Sequence, residues 1–404
     1  MSSNPGLRRE IVIVGLMALG FGLVGIDRFM ISTMFPVIAR DLKLSYSDIG
    51  TITGALAIAW GLSALYTGNL ADRIGRRRVL TGALVLFSLL IGASGLAVGL
   101  GSLVLVRVVM GAADGAYTPA SIAATMAASP PRRHGLNIGL QQMMLPLCGL
   151  GFGPLIVVHL LHVIDWRLIF SIFALPGLLM GWAIWRNVPD LKQVGQVPVA
   201  RGAFADWRHV IGYHNIKIAM GMMLCWLTCL ITTSALLPNY LLDHLHLPFD
   251  MMGTVMSAIG VGSTVGTLAL PWLSDRVGRK PVMAVSTIGV GMSLFMLSRT
   301  GASPELLFAW LFAVHFFNNA LITLTVGPIC AETVPVALMT TASGMVIAVG
   351  EIFGGGIAPV IGGIVAVHFG IDHILLLPIA ASVIGFILSL ALFETRPRLK
   401  RAKA

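Results

Sequence analysis

Runs of about 20 almost wholly apolar residues recur from residue 11 to residue 393, and no other feature constrains the fold of this chain as tightly. At 1.5 Å per residue, a helix of about 20 residues crosses the roughly 30 Å of bilayer hydrocarbon. No water reaches backbone polar groups there, so each run must satisfy its own hydrogen bonds as a helix. Twelve such runs are counted, with approximate limits 11–38, 47–68, 79–99, 102–126, 135–161, 166–187, 215–242, 250–273, 281–299, 303–330, 339–367 and 372–393. Composition agrees, with 56% hydrophobic and 11% charged residues, against about 25% charged in soluble domains. The expectation is an all-α polytopic membrane protein with twelve transmembrane helices.

The first run lacks a small-residue cleavage site behind a short apolar region, which predicts a retained helix and not a signal peptide. All four cysteines, Cys148, Cys225, Cys229 and Cys330, fall inside predicted spans, where they are expected to pack as small apolar groups. His244, His246, His368 and His373 fall near outer loops without convergent acids, so neither a metal site nor a cofactor is expected. Positive loops stay cytoplasmic. With both termini inside, 21 of the 27 Lys and Arg residues are cytoplasmic, Arg40, Lys43, Arg167 and Arg299 are outside, and Arg28 and Arg107 lie in the membrane. The net charge of +10 therefore reflects topology and contact with anionic lipids in a cell inner membrane, without a nucleic-acid partner.

"GNLADRIGRRRVL" (68–80) is echoed by "PWLSDRVGRKPVM" (271–283) at an offset of 203 residues, half the chain length. Two six-helix bundles follow, 1–187 and 215–404 with its basic tail, joined by a polar cytoplasmic linker at 188–214. Two six-helix halves related by a parallel repeat characterise one large class of secondary transporters. With its doubled D-R-x-G-R-[RK] motif, the chain resembles the major facilitator superfamily over its whole length. Gly68, Asp72, Arg73, Gly75 and Arg76, with Asp275, Arg276, Gly278 and Arg279, are expected to gate one face. The aspartates would accept from backbone N–H groups at a helix N-terminus, and the arginines would pair with acids on adjacent helices.

A narrower resemblance rests on "DRFMISTMFPVIARDLKLSYSDIG" (27–50) and "RVVMGAADGAYTPA" (107–120). These are similar to the anion:cation symporter branch, importers of sugar acids and other organic anions coupled to protons. The resemblance implies that Asp27 and Asp114 carry protons and that Arg28 faces the substrate carboxylate. Three positions depart from the branch: Gly25 replaces an aromatic residue, Asp114 replaces the usual Glu, and Glu351 stands where a substrate-contacting Asn is usual.

Counting along the helices supports part of this independently. Asp27, Arg28 and Asp114 fall near the bilayer midplane, with Arg107 nearer the outside and on the same helical face as Asp114. A lone charge there costs about 3 kcal/mol on insertion scales, so such groups normally face a cavity or one another. Asp27 and Arg28 point about 100° apart, so the acid can face helix four while the arginine faces a cavity. An acid so placed can exchange a proton as its surroundings change, and a fixed guanidinium offers a planar two-pronged donor to a carboxylate. A buried structural ion pair is the alternative for these two; Arg107 is a further candidate for substrate binding, with bracing of helix four, through Asp114 or backbone carbonyls, as its alternative.

The repeat offset maps these charges onto Leu230, Ile231, Trp310 and Phe317, so the second half is expected to grip the uncharged part of the substrate. Trp226, Thr228 and Thr232, with His315, Asn318 and Asn319, are the candidates, joined by Gln141 and Gln142 on helix five. His315 reads equally as a packing histidine, and membrane amides often only join helices. Glu351, in the glycine-rich "GEIFGGGIAPVIGG", reads either as a further proton site or as a partner for a neighbouring helix. The expected function is monomeric, proton-coupled symport of a small organic anion. The competing reading is a proton-coupled multidrug exporter, suggested by "GLGFGPLI" (149–156), although Leu155 to Val158 replace the ending of the antiporter motif. No phosphate-binding loop or nucleophile-base pair is visible, so an enzyme is not expected.

Overall fold

The computed structural model describes residues 5–130, 133–189, 203–335 and 338–395. Among the described residues, twelve helices are long and apolar enough to cross a membrane. The first half holds α1 (Leu7–Leu42), α2 (Tyr46–Ile74), α3 (Arg76–Ser94), α4 (Leu100–Ala128), α5 (Leu136–Leu161) and α6 (Trp166–Asn187). The second holds α7 (His214–His244), α8 (Phe249–Val277), α9 (Arg279–Arg299), α10 (Pro304–Thr333), α11 (Thr341–Phe369) and α12 (Ile371–Ala391). All twelve expected spans are present.

Two boundaries differ from the sequence reading. The stretch 69–74 is helical, so the repeated motif occupies the last turns of α2 and α8, and each pair of helices is separated by one glycine. Gly75 and Gly278, equivalent under the 203-residue offset, take φ of 98° and 123°. A side chain is strained in that region, which explains why both copies of the motif keep glycine there. The expected linker at 188–214 also contains a short helix, Ala203–Ile211.

The halves are built alike. Helix α2 packs on α4 as α8 packs on α10, and α3 packs on α6 as α9 packs on α12. Helices α1 and α7 meet at the centre, while α6 turns Leu168, Ile172, Leu175, Leu179 and Trp182 outward along one stripe. That spacing of three and four residues suits a helix with one face against lipid.

Among the described residues, wide π-helical turns interrupt three spans, Leu147–Phe152 in α5, Thr325–Ile329 in α10 and Gly350–Ile357 in α11, and a further one, Tyr240–His244, ends α7. Prolines 146, 238 and 328 lie in or just before the turns of α5, α7 and α10, in that order, where a missing N–H releases a helical carbonyl. In α11, the run Gly354–Gly356 leaves the wide turn thin enough to wedge between α2 and α7.

Besides the central meeting of α1 and α7, the halves cross closely at α2 with α11 and at α5 with α8, and glycines make both crossings possible. A Cβ on Gly54 would strike the Gly356 carbonyl, and one on Gly260 would strike the backbone of Gly151. Gly260→Ala is therefore expected to push α8 from α5 and lower stability by about 1–3 kcal/mol, the usual cost of overpacking. Gly82→Ala, at a position with nothing within 4 Å, is the control and should melt like the wild type in a detergent thermal scan. Equal midpoints for both variants would show that the α5–α8 crossing does not depend on this close approach.

Candidate functional site

Arg28 lies near the middle of α1 and points across the boundary between the halves. Its guanidinium meets the carboxylate of Glu351, in the wide turn of α11, through Nη1–Oε1 at 3.1 Å and Nη2–Oε2 at 2.6 Å. Both side chains are buried, and the Trp60 ring of α2 covers the guanidinium at 4.4 Å from Cζ. Two parallel bonds between planar groups form the strongest common geometry for this pair. The sequence reading has Arg28 facing a cavity, and a cavity is present, but it holds only about 10 Å³, roughly one water. Ser32, Thr53 and Ser234 contribute hydroxyl groups to its lining. The opposing carboxylate fills the fork because the small residues Ala57, Gly61 and Gly355 let Glu351 approach.

One residue earlier the chain points elsewhere. Asp27 faces α4, where Arg107 Nη1 donates to the Asp27 carbonyl oxygen at 3.1 Å and lies 3.6 Å from Oδ1. Arg107 thus braces α4 to α1 through Asp27, not through Asp114, the nearer acid on its own helix face. Both carboxylate oxygens of Asp27 and of Asp114 are buried without a hydrogen-bond partner. Asp114 is within electrostatic reach of Asp27, Arg28 and Arg107, so four charged groups of one half and Glu351 of the other form one buried cluster.

The remaining candidates are only partly gathered here. Gln141 is fully buried inside the first half, accepting from Thr125 Oγ1 and donating to Ser121 Oγ at 2.7 Å. Trp226 turns away from α1, donating to Thr325 Oγ1 at 3.2 Å and packing under Gly385 of α12. Asn318 donates to the Trp226 carbonyl at 3.1 Å. These three join helices within one half, because each finds a polar partner on a neighbouring helix that its own helical phase does not reveal. His315 is fully buried and its Nε2 sits 3.2 Å from Thr233 Oγ1. Thr228 and Thr232 are buried on α7 with unpartnered hydroxyls, facing the glycines of α11. Gln142 and Asn319 are partly exposed.

At the repeated motif, Arg279 pairs with Glu332 of α10 at 2.8 Å and with Asp275 at 2.6 Å. Arg76 donates to the Ala123 carbonyl at 3.3 Å. The α9 N-terminus departs from expectation: the N–H groups of Arg279 and Lys280 donate to Glu394, at 3.0 and 3.1 Å, and not to Asp275. Glu394 follows α12 and passes the helix end, whereas Asp275, on the last turn of α8, is engaged by the Arg279 side chain. Arg276 and Gly278 occupy the adjoining turn, and the side chains at 66–74, among them the expected gating residues Gly68, Asp72 and Arg73, lie outside the described residues. The polar contacts named at this end stay within one half.

The opposite end differs. There Tyr46 of α2 donates to Asp243 of α7 at 2.9 Å, and His162, just past the end of α5, lies 2.6 Å from Asp250 of α8, both across the boundary. A 460 Å³ recess, lined in part by Arg40, Tyr46, Asn239 and Asp243, opens beside the first contact. Sequence reasoning missed Trp60, Tyr46, Asp243, Glu332 and Glu394. For all but Trp60, which lies inside its run, the available signal was an acid or a ring at the edge of an apolar run.

The sequence matches the profile of the Major Facilitator Superfamily over residues 17–247 and 218–404. It is 28% identical over 300 residues to the 3-(3-hydroxy-phenyl)propionate transporter of Escherichia coli (strain K12), covering 72% of this chain and 71% of that protein. With the sialic acid transporter NanX of the same organism it shares 26% identity over 382 residues, 91% of this chain and 89% of the other. Its fold is similar to that of a bacterial homologue of the human lysosomal transporter Spinster, with a TM-score of 0.78 at 15% identity, covering 97% and 98% of the two chains.

Removing the Tyr46 hydroxyl should loosen the end that the halves share. Loss of one such bond costs about 0.5–1.5 kcal/mol, which corresponds to roughly two- to tenfold in the open population. A cysteine placed at Ser32, on the central cavity, should react correspondingly faster with an impermeant maleimide in the Tyr46→Phe protein. Unchanged labelling would mean that this bond does not hold that end shut.

Proposed function

The chain belongs to the major facilitator superfamily, and from that premise we propose that it is a proton-coupled symporter that imports a small organic anion by alternating access. Membership makes it a multi-pass membrane transport protein and not an enzyme. The observation that carries the substrate reading is the Arg28 fork, already engaged two-pronged by a carboxylate where the halves meet. A planar guanidinium recognises carboxylates in this geometry, and lysine does not reproduce it. Carboxylic acids are also what the names of both Escherichia coli relatives specify.

In this reading Asp27 and Asp114 exchange the driving proton, supported by full burial and by carboxylate oxygens without donors. Arg107 holds Asp27 in place. Thr228, Thr232, Gln142, Asn319 and His315 are left to meet the uncharged part of the substrate. The basic helix ends and both termini face the cytoplasm, as their lysines and arginines require. The end joined by Tyr46–Asp243 and His162–Asp250 then faces outward, its cross-boundary bonds serving as the outer gate, and the repeated motif gates the inner end. An exporter of cationic drugs would gain nothing from the Arg28 fork.

Arg28→Lys is expected to weaken carboxylate binding roughly tenfold or more, since charge-assisted hydrogen bonds contribute about 1.5–3 kcal/mol. Titration of the purified protein with 3-(3-hydroxyphenyl)propionate and sialic acid checks this, and equal affinity in the variant would remove Arg28 from the anchor role. Asp27→Asn mimics a permanently protonated acid. In proteoliposomes it should still exchange labelled for unlabelled substrate but should not accumulate substrate down a pH gradient, and full accumulation would assign the proton elsewhere.

A further inference from the structure

Glu351 presents to Arg28 the same chemical group that the proposed substrate would present. Its two oxygens occupy the Nη1 and Nη2 edge of the guanidinium, at 3.1 and 2.6 Å, with Trp60 closing one face. The cavity that Arg28 lines has room for about one water, too little for a substrate carboxylate, and Glu351 occupies the Nη1 and Nη2 edge. Arg28 belongs to α1 of the first half and Glu351 to α11 of the second, so the same bond also draws the halves together at mid-membrane.

We propose that Glu351 is a built-in competitor for the substrate: it holds the Arg28 fork in the empty carrier and yields it to a substrate carboxylate by taking up a proton. This rests on the reading of Arg28 as the anion anchor. Removing one partner of a buried ion pair leaves an uncompensated charge, a costly state that a displaced Glu351 avoids once protonated. The charges balance. One negative carboxylate enters, one proton from water joins Glu351, Arg28 stays charged, and the buried site keeps its net charge.

Few neighbours compete for that proton. On α11 itself the wide turn is otherwise apolar and glycine-rich, α2 faces Glu351 with Ala57 and Gly61, and α7 presents Ile231 beside the same turn. Helix α1 supplies Arg28 and, one residue away, Asp27, while α4 supplies Arg107, engaged with Asp27, and Asp114. When substrate leaves, Glu351 gives up its proton and re-forms the pair, which keeps the net charge of the centre and draws the halves together again.

Calorimetric titration of the full chain with 3-(3-hydroxyphenyl)propionate and with sialic acid, between pH 6 and 8 in two buffers of different ionisation enthalpy, tests this. The bound state holds one proton more on Glu351, so wild-type affinity should fall as pH rises, with a proton taken up by the protein as each carboxylate binds. Glu351→Gln should bind tenfold or more tightly than wild type at pH 8, with a shallower pH profile and one proton fewer taken up per carboxylate, any uptake that remains belonging to Asp27 and Asp114. Zero proton uptake by the wild type would overturn the proposal without reference to any variant. So would binding by Glu351→Gln with wild-type affinity and pH slope, an outcome that leaves Arg28 as anchor. If neither carboxylate bound either protein, the anchor reading itself would fall, and the competitor with it.

Discussion

A single two-pronged ion pair, Arg28 with Glu351, ties the halves of this transporter together at the level where a substrate must pass. Breaking such a buried pair by removing one partner costs about 3–5 kcal/mol. A carrier built around it cannot open at mid-membrane unless something replaces one of the two charges. The rest of the architecture serves that constraint: glycines let α11 come close enough for Glu351 to reach α1, and Trp60 covers the guanidinium. Behind it, Arg107 and Asp27 anchor α1 to α4 so that the Arg28 backbone has a fixed origin.

The two ends of the bundle are organised differently around this centre. At the end with Tyr46, Asp243, His162 and Asp250, the bonds cross the boundary and close the halves on one another. At the other end, Arg279 with Glu332, Arg133 with Glu10, and Glu394 at the α9 N-terminus hold each half rigid as a unit. Rigid halves with a shared hinge of small residues suit a rocking motion about a central site, the usual means of alternating access in such folds.

Much of this was legible in the sequence, for identifiable reasons. Hydrophobic length alone placed the twelve spans, and the 203-residue echo located Gly75 and Gly278, whose positive φ explains the repetition. Adjacency on a helix was enough to separate Asp27 from Arg28, and the structure sends them to different partners. The partner of Arg28 could not be read, because Glu351 lies 323 residues away. The repeat offset maps it to Cys148, so internal symmetry carries no hint of it. Gln141, Trp226 and Asn318 looked like ligands because they are polar or aromatic near mid-span. Their partners, Thr125, Thr325 and the Trp226 carbonyl, belong to neighbouring helices whose phase one-dimensional periodicity does not supply.

The central claim is that one guanidinium serves two carboxylates in turn, and a structure of the full chain determined with bound 3-(3-hydroxyphenyl)propionate or sialic acid tests it most directly. The account expects the ligand carboxylate on Nη1 and Nη2 of Arg28 and Glu351 withdrawn from both. A ligand bound elsewhere in the bundle, with the Arg28–Glu351 pair intact, would contradict it.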